Sequence, residues 1–400
     1  MRIDLDANAT TPVLPEVLEA MQPFWRQTYG NPSSAHQSGR RTRGAVEQAR
    51  IAVASLLHCS PKEICFTSGG TESDNLALAG VLQPFLDRHE PAHLITTQIE
   101  HHAVLFAAES LERRGIEVTY LKPDHNGVVS PDELEAALRP HTRLVSVMLA
   151  NNETGAIQPV GKIARIAKAH GALVHTDAVQ GAGKLPLDLS GEFKNVDLLS
   201  ISGHKMYAPQ GTGALFVRQG IELAPLFLGG PHERQRRAGT ENVPGIVGLG
   251  RAAELALAWL EGQHHHLLGS ATETPGSQSP AELAARRNHF EKRLLALIPE
   301  ASVNSAGAPR VSNTINLRID EVDGEALIIA LDLQGVAASF GSACTSGAAE
   351  PSHVLVAMGL TPKQAHSSFR LSLSRLTTDD ELAQALEIIP AAVARFRSVA

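Results

Sequence analysis

From about residue 40 to residue 260, short apolar runs rich in Val, Ile and Leu alternate with longer amphipathic stretches. The runs predict buried strands over 63–67, 93–97, 117–121, 144–149, 173–175, 197–201 and 213–217. The stretches between them predict helices over 42–57, 72–86, 103–113, 131–138 and 160–170. Strands that alternate with helices in this way predict an α/β fold, with a mostly parallel sheet covered by helices on both faces. In such sheets ligands gather at the carboxyl ends of the strands, so that is where chemistry is sought. A long helix over 242–260 leads out of this unit. From Ala281 the pattern restarts as helix, strand (311–319), helix (324–333), loop, helix, strand (369–373) and helix (378–396). The expected division is a large domain over 15–260 and a smaller α/β domain from 1–14 and 281–400, with a mobile insertion over 262–280. That insertion opens with His264, His265 and His266, then turns to Ser, Thr, Pro and Gly. Three histidines can bind metal, but this composition favours a solvated loop.

Composition narrows the class. The 400 residues are 43% hydrophobic and 19% charged, as in an ordinary globular enzyme. A net charge of −7 gives no global electrostatic case for nucleic acid or an anionic membrane. The first ten residues carry three charges and no apolar core, and no apolar run approaches the roughly 18 residues of a membrane span. Cys59, Cys65 and Cys344 are too few and too scattered for a disulfide framework, and none is spaced as a zinc-binding pair. A reducing, cytoplasmic location is expected.

Candidate chemistry then collects at predicted strand ends. Ser202, Gly203, His204 and Lys205 follow the apolar run at 196–201. A lysine held at a strand end beside a hydroxyl and an imidazole suits a Schiff base with an aldehyde cofactor. After the strand at 63–67 come Ser68, Gly69, Gly70 and Thr71, a small-residue turn into a helix whose N–H groups can bind phosphate. Asp177 closes the strand at 173–175, where a carboxylate can keep a pyridine nitrogen protonated. His101 and His102 follow the strand at 93–97, and Asn151 and Asn152 follow that at 144–149. An imidazole there can stack on a planar cofactor and move protons, and the amides can recognise a polar ligand. Each feature has an ordinary reading too: a surface lysine, a helix cap by Thr71 and Asp74 or by Asp177, a turn-forming asparagine. Their joint occurrence points to one phosphorylated pyridine aldehyde. Cys344 lies among Gly, Ser and Ala with little to pack, so it reads as an accessible nucleophile, whereas Cys65 reads as buried.

The order of these motifs resembles the NifS/IscS-type cysteine desulfurases, among the class V, fold-type I pyridoxal phosphate enzymes. The resemblance runs through TSGGTESDNLAL (67–78), EHHAVL (100–105), ANNETGAIQP (150–159), HTDAVQ (175–180), SGHK (202–205), RRAGTEN (236–242), GSACTSG (341–347), EPSHVL (350–355) and SFRLSLSR (368–375). It implies that Lys205 carries pyridoxal 5'-phosphate and removes the substrate Cα proton. It implies that Asp177 pairs with the pyridine nitrogen, Gln180 with the ring hydroxyl, and that His101 stacks on the ring. Gly70, Thr71, Ser202 and His204 would hold the phosphate, and Thr240 the phosphate of a neighbouring subunit in a homodimer. Asn152, also beside the cofactor, and Arg370 would bind the carboxylate of L-cysteine. Cys344 would become a persulfide and pass sulfur to an acceptor or iron–sulfur scaffold protein, for iron–sulfur cluster assembly or thio-modification. No metal site is implied beyond Cys344 as a transient iron–sulfur ligand. Tyr207 and Gln210, Asp6 and Asn8, and Phe340 depart from the family pattern, and none is expected to touch an assigned role. A selenocysteine lyase or another class V enzyme is the alternative activity. A cofactor-free sulfur relay is the non-enzymatic one.

Overall fold

The computed structural model describes residues 2–262, 276–341 and 350–398. Cys344 and the three histidines at 264–266 lie outside the described residues. The chain opens with a two-residue strand, β1 (Ile3–Asp4). Seven strands then build the central sheet: β2 (Ile64–Thr67), β3 (His93–Thr97), β4 (Glu117–Leu121), β5 (Thr142–Ser146), β6 (Leu173–Asp177), β7 (Leu198–Ser202) and β8 (Gly213–Val217). Their spatial order is β2-β8-β7-β6-β5-β3-β4, and only β8 runs against the others. The expected mostly parallel seven-stranded sheet is therefore present. Of its inner strands, β3, β7 and β8 are buried along their whole length and β5 and β6 nearly so, which is why they read as apolar runs. The chain lays β4 outside β3, then returns to place β5 on the other side of β3. That reversal is a topological switch point, where the crossing connections diverge and open a crevice at the carboxyl edge.

Each predicted helix between these strands is present within a few residues, the first starting earlier, at Gln37–Leu56. The helix Val243–Leu260 corrects one expectation. It is 18 residues long with a mean hydropathy of 1.3, which by length and composition alone would cross a membrane. Most of it is buried instead, against Gln37–Leu56, where Gly250 faces Ala49 so closely that a Cβ at Gly250 would lie 2.6 Å from the Ala49 Cα. A helix apolar on every side is a core helix when its neighbours cover it.

A second core gathers Ile3, Leu5, Trp259, Phe290, Leu317, Phe369 and Ile389. It is built on an antiparallel sheet of β9 (Ala301–Val303), β10 (Thr314–Ile319) and, after the short β11 (Val336–Ala337), β12 (Ser368–Ser372). β1 pairs with β11, so the chain's first residues belong with this core, while Leu14 and Val17 pack in the first. The far end of the expected insertion is anchored. Ser277 is buried, donates to the Arg375 carbonyl, and accepts from the Trp259 indole N–H at 3.0 Å.

Candidate active site

A cavity of about 250 Å³ opens at the carboxyl edge of the central sheet. Ten residues singled out in the sequence line it: Gly70, Thr71, His101, Asn152, Asp177, Gln180, Ser202, His204, Lys205 and Arg370. All but Arg370 lie at or just after β2, β3, β5, β6 and β7, and Arg370 is on β12 of the second core. Thr240 does not line the cavity and is exposed. Its segment is tied down by two buried or half-buried ion pairs. Arg50 pairs with Glu233 at 2.8 Å, and Arg237 with Glu72 at 2.9 Å on the helix that begins at Gly70.

The turn after β2 is shaped for an anion. Gly69 sits at φ 155° and ψ −175°, backbone space open only to glycine. It precedes the helix Gly70–Asp87 without a side-chain cap, so neither Thr71 nor Asp74 caps it. The free N–H groups of the first turn therefore remain available, with the helix dipole behind them. A Cβ at Gly70 would lie 2.7 Å from Val179 Cγ2 and 3.6 Å from Ser202 Cβ, so the missing side chain leaves the space beside Thr71, Ser202 and His204 open. His204 is pushed down to about 4 by burial and by Lys205, and its Nδ1 lies 3.2 Å from the Thr10 hydroxyl.

Asp177 ends β6 with its Oδ1 accepting the Val179 N–H at 2.8 Å. Burial pushes its carboxyl up to about 6, against the pull of that N–H and of Lys205. Asp74, fully buried in the same wall, is raised well above the ordinary carboxylate value, first by burial and then by the Asp177 charge. Two carboxyls so placed do not both ionise readily. Behind them the His175 ring touches Ser146 and Ser200 hydroxyls at 2.8 and 3.0 Å, and burial pushes it down to about 3. His101 caps the helix His102–Arg113 through its Nδ1 and is pushed down to about 4, by burial first and then by His102 and Lys205. It is neutral at pH 7, and because Nδ1 accepts the Ala103 N–H its ring proton sits on Nε2.

Lys205 Nζ donates to the Asn8 and Ala9 carbonyls, each at 2.6 Å. Arg370 is buried, with one terminal nitrogen on the Asn152 carbonyl at 2.8 Å and the other on Asp6 Oδ1 at 2.7 Å. Its Nε is buried without a hydrogen-bond partner among the described residues. These contacts correct the expectation that Asp6 and Asn8 stand clear of assigned residues. The segment from Asp6 to Ala9 forms the floor beneath Lys205 and Arg370. Asn8 was legible only as a departure from pattern, because its contacts come from residues more than a hundred positions away. Tyr207 and Phe340 do lie outside the cavity, Tyr207 under the Arg375 guanidinium at 4.2 Å and Phe340 against the His366 ring. Cys65 is fully buried and Cys59 partly so, and burial pushes both thiols up to about 12. The anion turn, the carboxylate, the planar-ring neighbours and a lysine in one cavity fit a phosphorylated pyridine aldehyde.

Comparison with known proteins agrees with this geometry. Residues 3–385 match the family described as Aminotransferase class-V. A "Cysteine desulfurase" of Trichormus azollae is 47% identical over 397 residues, covering 99% of this chain and 94% of that protein. A "Cysteine desulfurase IscS" of Methanosarcina thermophila is 45% identical over 395 residues, covering 99% and 93%. Among solved structures, a "NIFS-LIKE PROTEIN" superposes with a TM-score of 0.87 at 38% identity, covering 99% of this chain and 100% of that one. "SspA in complex with cysteine" gives 0.79 at 37% identity, covering 93% and 99%.

Proposed function

The chain belongs to the class-V aminotransferase family, and from that premise we propose that it is a pyridoxal phosphate-dependent cysteine desulfurase. It converts L-cysteine to L-alanine and moves the sulfur onto its own Cys344 as a persulfide. The observation that carries this reading is the meeting of Lys205, Asp177, the uncapped helix at Gly70 and Arg370 in one cavity. Pyridoxal phosphate, when bound, supplies an electron sink that lets the cysteine Cα proton leave and weakens the Cβ–Sγ bond.

Gly70, Thr71, Ser202 and His204 hold the phosphate through backbone N–H, hydroxyl and imidazole donors. The Asp177 carboxylate keeps the pyridine nitrogen protonated. His101 packs its neutral ring on the cofactor and offers its Nε2–H as a hydrogen-bond donor. Arg370 receives the substrate carboxylate with Asn152 beside it, because a planar guanidinium matches a carboxylate. Lys205 Nζ takes the Cα proton. The Cys344 thiolate then attacks the substrate sulfur. The Cβ–Sγ bond breaks, its electron pair stays on carbon, and a sulfur–sulfur bond forms. Protonation of that carbon yields the alanine methyl group. Cys59 and Cys65 are poorly suited to the same task, since burial keeps both protonated at neutral pH.

The enzyme works as a homodimer in which the exposed Thr240 reaches the cofactor phosphate of the second copy. Its persulfide serves an acceptor protein, such as an iron–sulfur scaffold, in the reducing cytoplasm, and Cys344 can ligate a cluster transiently. Cys344→Ala tests the assignment. The variant is expected to keep the visible band of the loaded enzyme, reducible by borohydride, while losing sulfide release from cysteine. Full sulfide release by the variant would remove Cys344 from the mechanism and favour a lyase of another kind.

A further inference from the structure

A second buried lysine stands behind the cavity. Lys184 follows Gln180 by four residues in a run of turns, closed by N–H contacts from Ala182 to Ala178 and from Leu185 to Gly181, with Gly183 at φ 71°. Lys184 does not line the main cavity; it lines a small cleft behind it, with Lys205 between the two. Its Nζ donates to Gln180 Oε1 at 2.7 Å and to Asn8 Oδ1 at 3.2 Å.

An amine donates hydrogen bonds here, so it fixes which end of each amide it meets. Gln180 must turn its oxygen back toward Lys184. Its nitrogen then points the other way, where one N–H meets the Asn8 carbonyl at 3.0 Å. The second N–H is left for the cavity that Gln180 lines. Asn8 is locked in the same sense. Its oxygen takes Lys184 and Asn313, and its nitrogen goes to the Asn152 carbonyl and the Thr314 hydroxyl. Without Lys184, only the Asn8 carbonyl would oppose the reversed amide, which would turn a carbonyl toward the cavity.

The geometry points to Lys184 as a positioning residue that makes Gln180 present a donor, and so selects a ligand whose ring bears an oxygen acceptor at that place. The inference rests on the reading of the cavity as a pyridoxal phosphate site and adds the reason its ring oxygen is recognised. Burial, with the nearby charges of Lys205 and Arg370, pushes the Lys184 ammonium down to about 7, the cost of placing this amine in the floor. Lys184 therefore acts from behind, through Gln180, while Lys205 alone of the two faces the ligand.

The test uses the full chain, stripped of cofactor and titrated with pyridoxal phosphate or with the analogue that lacks the ring hydroxyl. Lys184→Met is expected to weaken pyridoxal phosphate binding about tenfold, the value of one hydrogen bond to a charged group, and to leave the analogue within about twofold. In a Gln180→Ala background the same substitution should cost nothing further. Equal losses for both ligands, or losses that add in the double variant, would mean that Lys184 only supports the fold. Failure of the unaltered chain to bind either ligand would overturn the cofactor reading, and this inference with it.

Discussion

At the scale of single residues, the site works by giving buried charges unequal surroundings. Arg370 shows this best, with its two terminal nitrogens held by Asn152 and Asp6 and its Nε without a partner among the described residues. Lysine cannot reproduce that fork. Arg370→Lys is therefore expected to lower kcat/KM for cysteine roughly ten- to hundredfold, matching the about 1.5–3 kcal/mol of a charge-assisted hydrogen bond. Steady-state kinetics check it, and an unchanged value would remove Arg370 from substrate binding. Eight of the ten cavity residues were legible because they follow recognisable runs, whereas Gln180 and Arg370 were reached only through the family resemblance. Asn8, Asp6 and Lys184 were not legible. Asn8 and Asp6 act through contacts to distant parts of the chain, and Lys184 reads in sequence as one more polar residue in a turn.

At the scale of elements, strand ends and one helix start do the positioning. The inner strands were legible because burial leaves apolar runs, whereas β1, β9 and β11 span two or three residues and carry no periodicity. Those short pieces matter, since β1 leads directly into the floor residues Asp6 to Ala9. The turn after β2 depends on glycine at two positions for different reasons, Gly69 for its backbone angles and Gly70 for space. Gly70→Ala should weaken pyridoxal phosphate retention by roughly tenfold or more, because its Cβ meets Val179 and crowds the anion turn. Adding Val179→Ala should recover part of the loss. Fluorescence titration of the stripped protein measures both, and unaltered affinity in the single variant would place the phosphate elsewhere.

At the scale of the whole molecule, burying the site's titratable groups makes stability depend on pH in two opposite ways. His175 is held near 3 against an ordinary 6.5, so it is neutral when folded and charges on unfolding. Its contribution is lost as pH falls from about 6.5 toward 3. Glu100 is pushed up to about 8 from 4.5 by burial, so folding favours its protonated form. Its contribution is full below about 4.5 and is lost as pH rises to about 8. Glu100→Gln should then match the parent chain in Tm near pH 5 and exceed it near pH 9, and a constant difference at every pH would contradict the assignment. The α/β class and the sheet's mainly parallel sense were legible from alternation alone. The reversed β8 was not, because an apolar run carries no direction. Lys205, which faces the cavity, and Cys344, which takes the sulfur, are joined by one sulfur transfer. Mass spectrometry of the Cys344 peptide, after the loaded enzyme meets one equivalent of isotopically labelled cysteine, tests that transfer. A gain of one labelled sulfur on Cys344, matched by an equal amount of alanine, is the predicted result. Alanine formed with labelled sulfide in solution and an unmodified Cys344 at all times would contradict it.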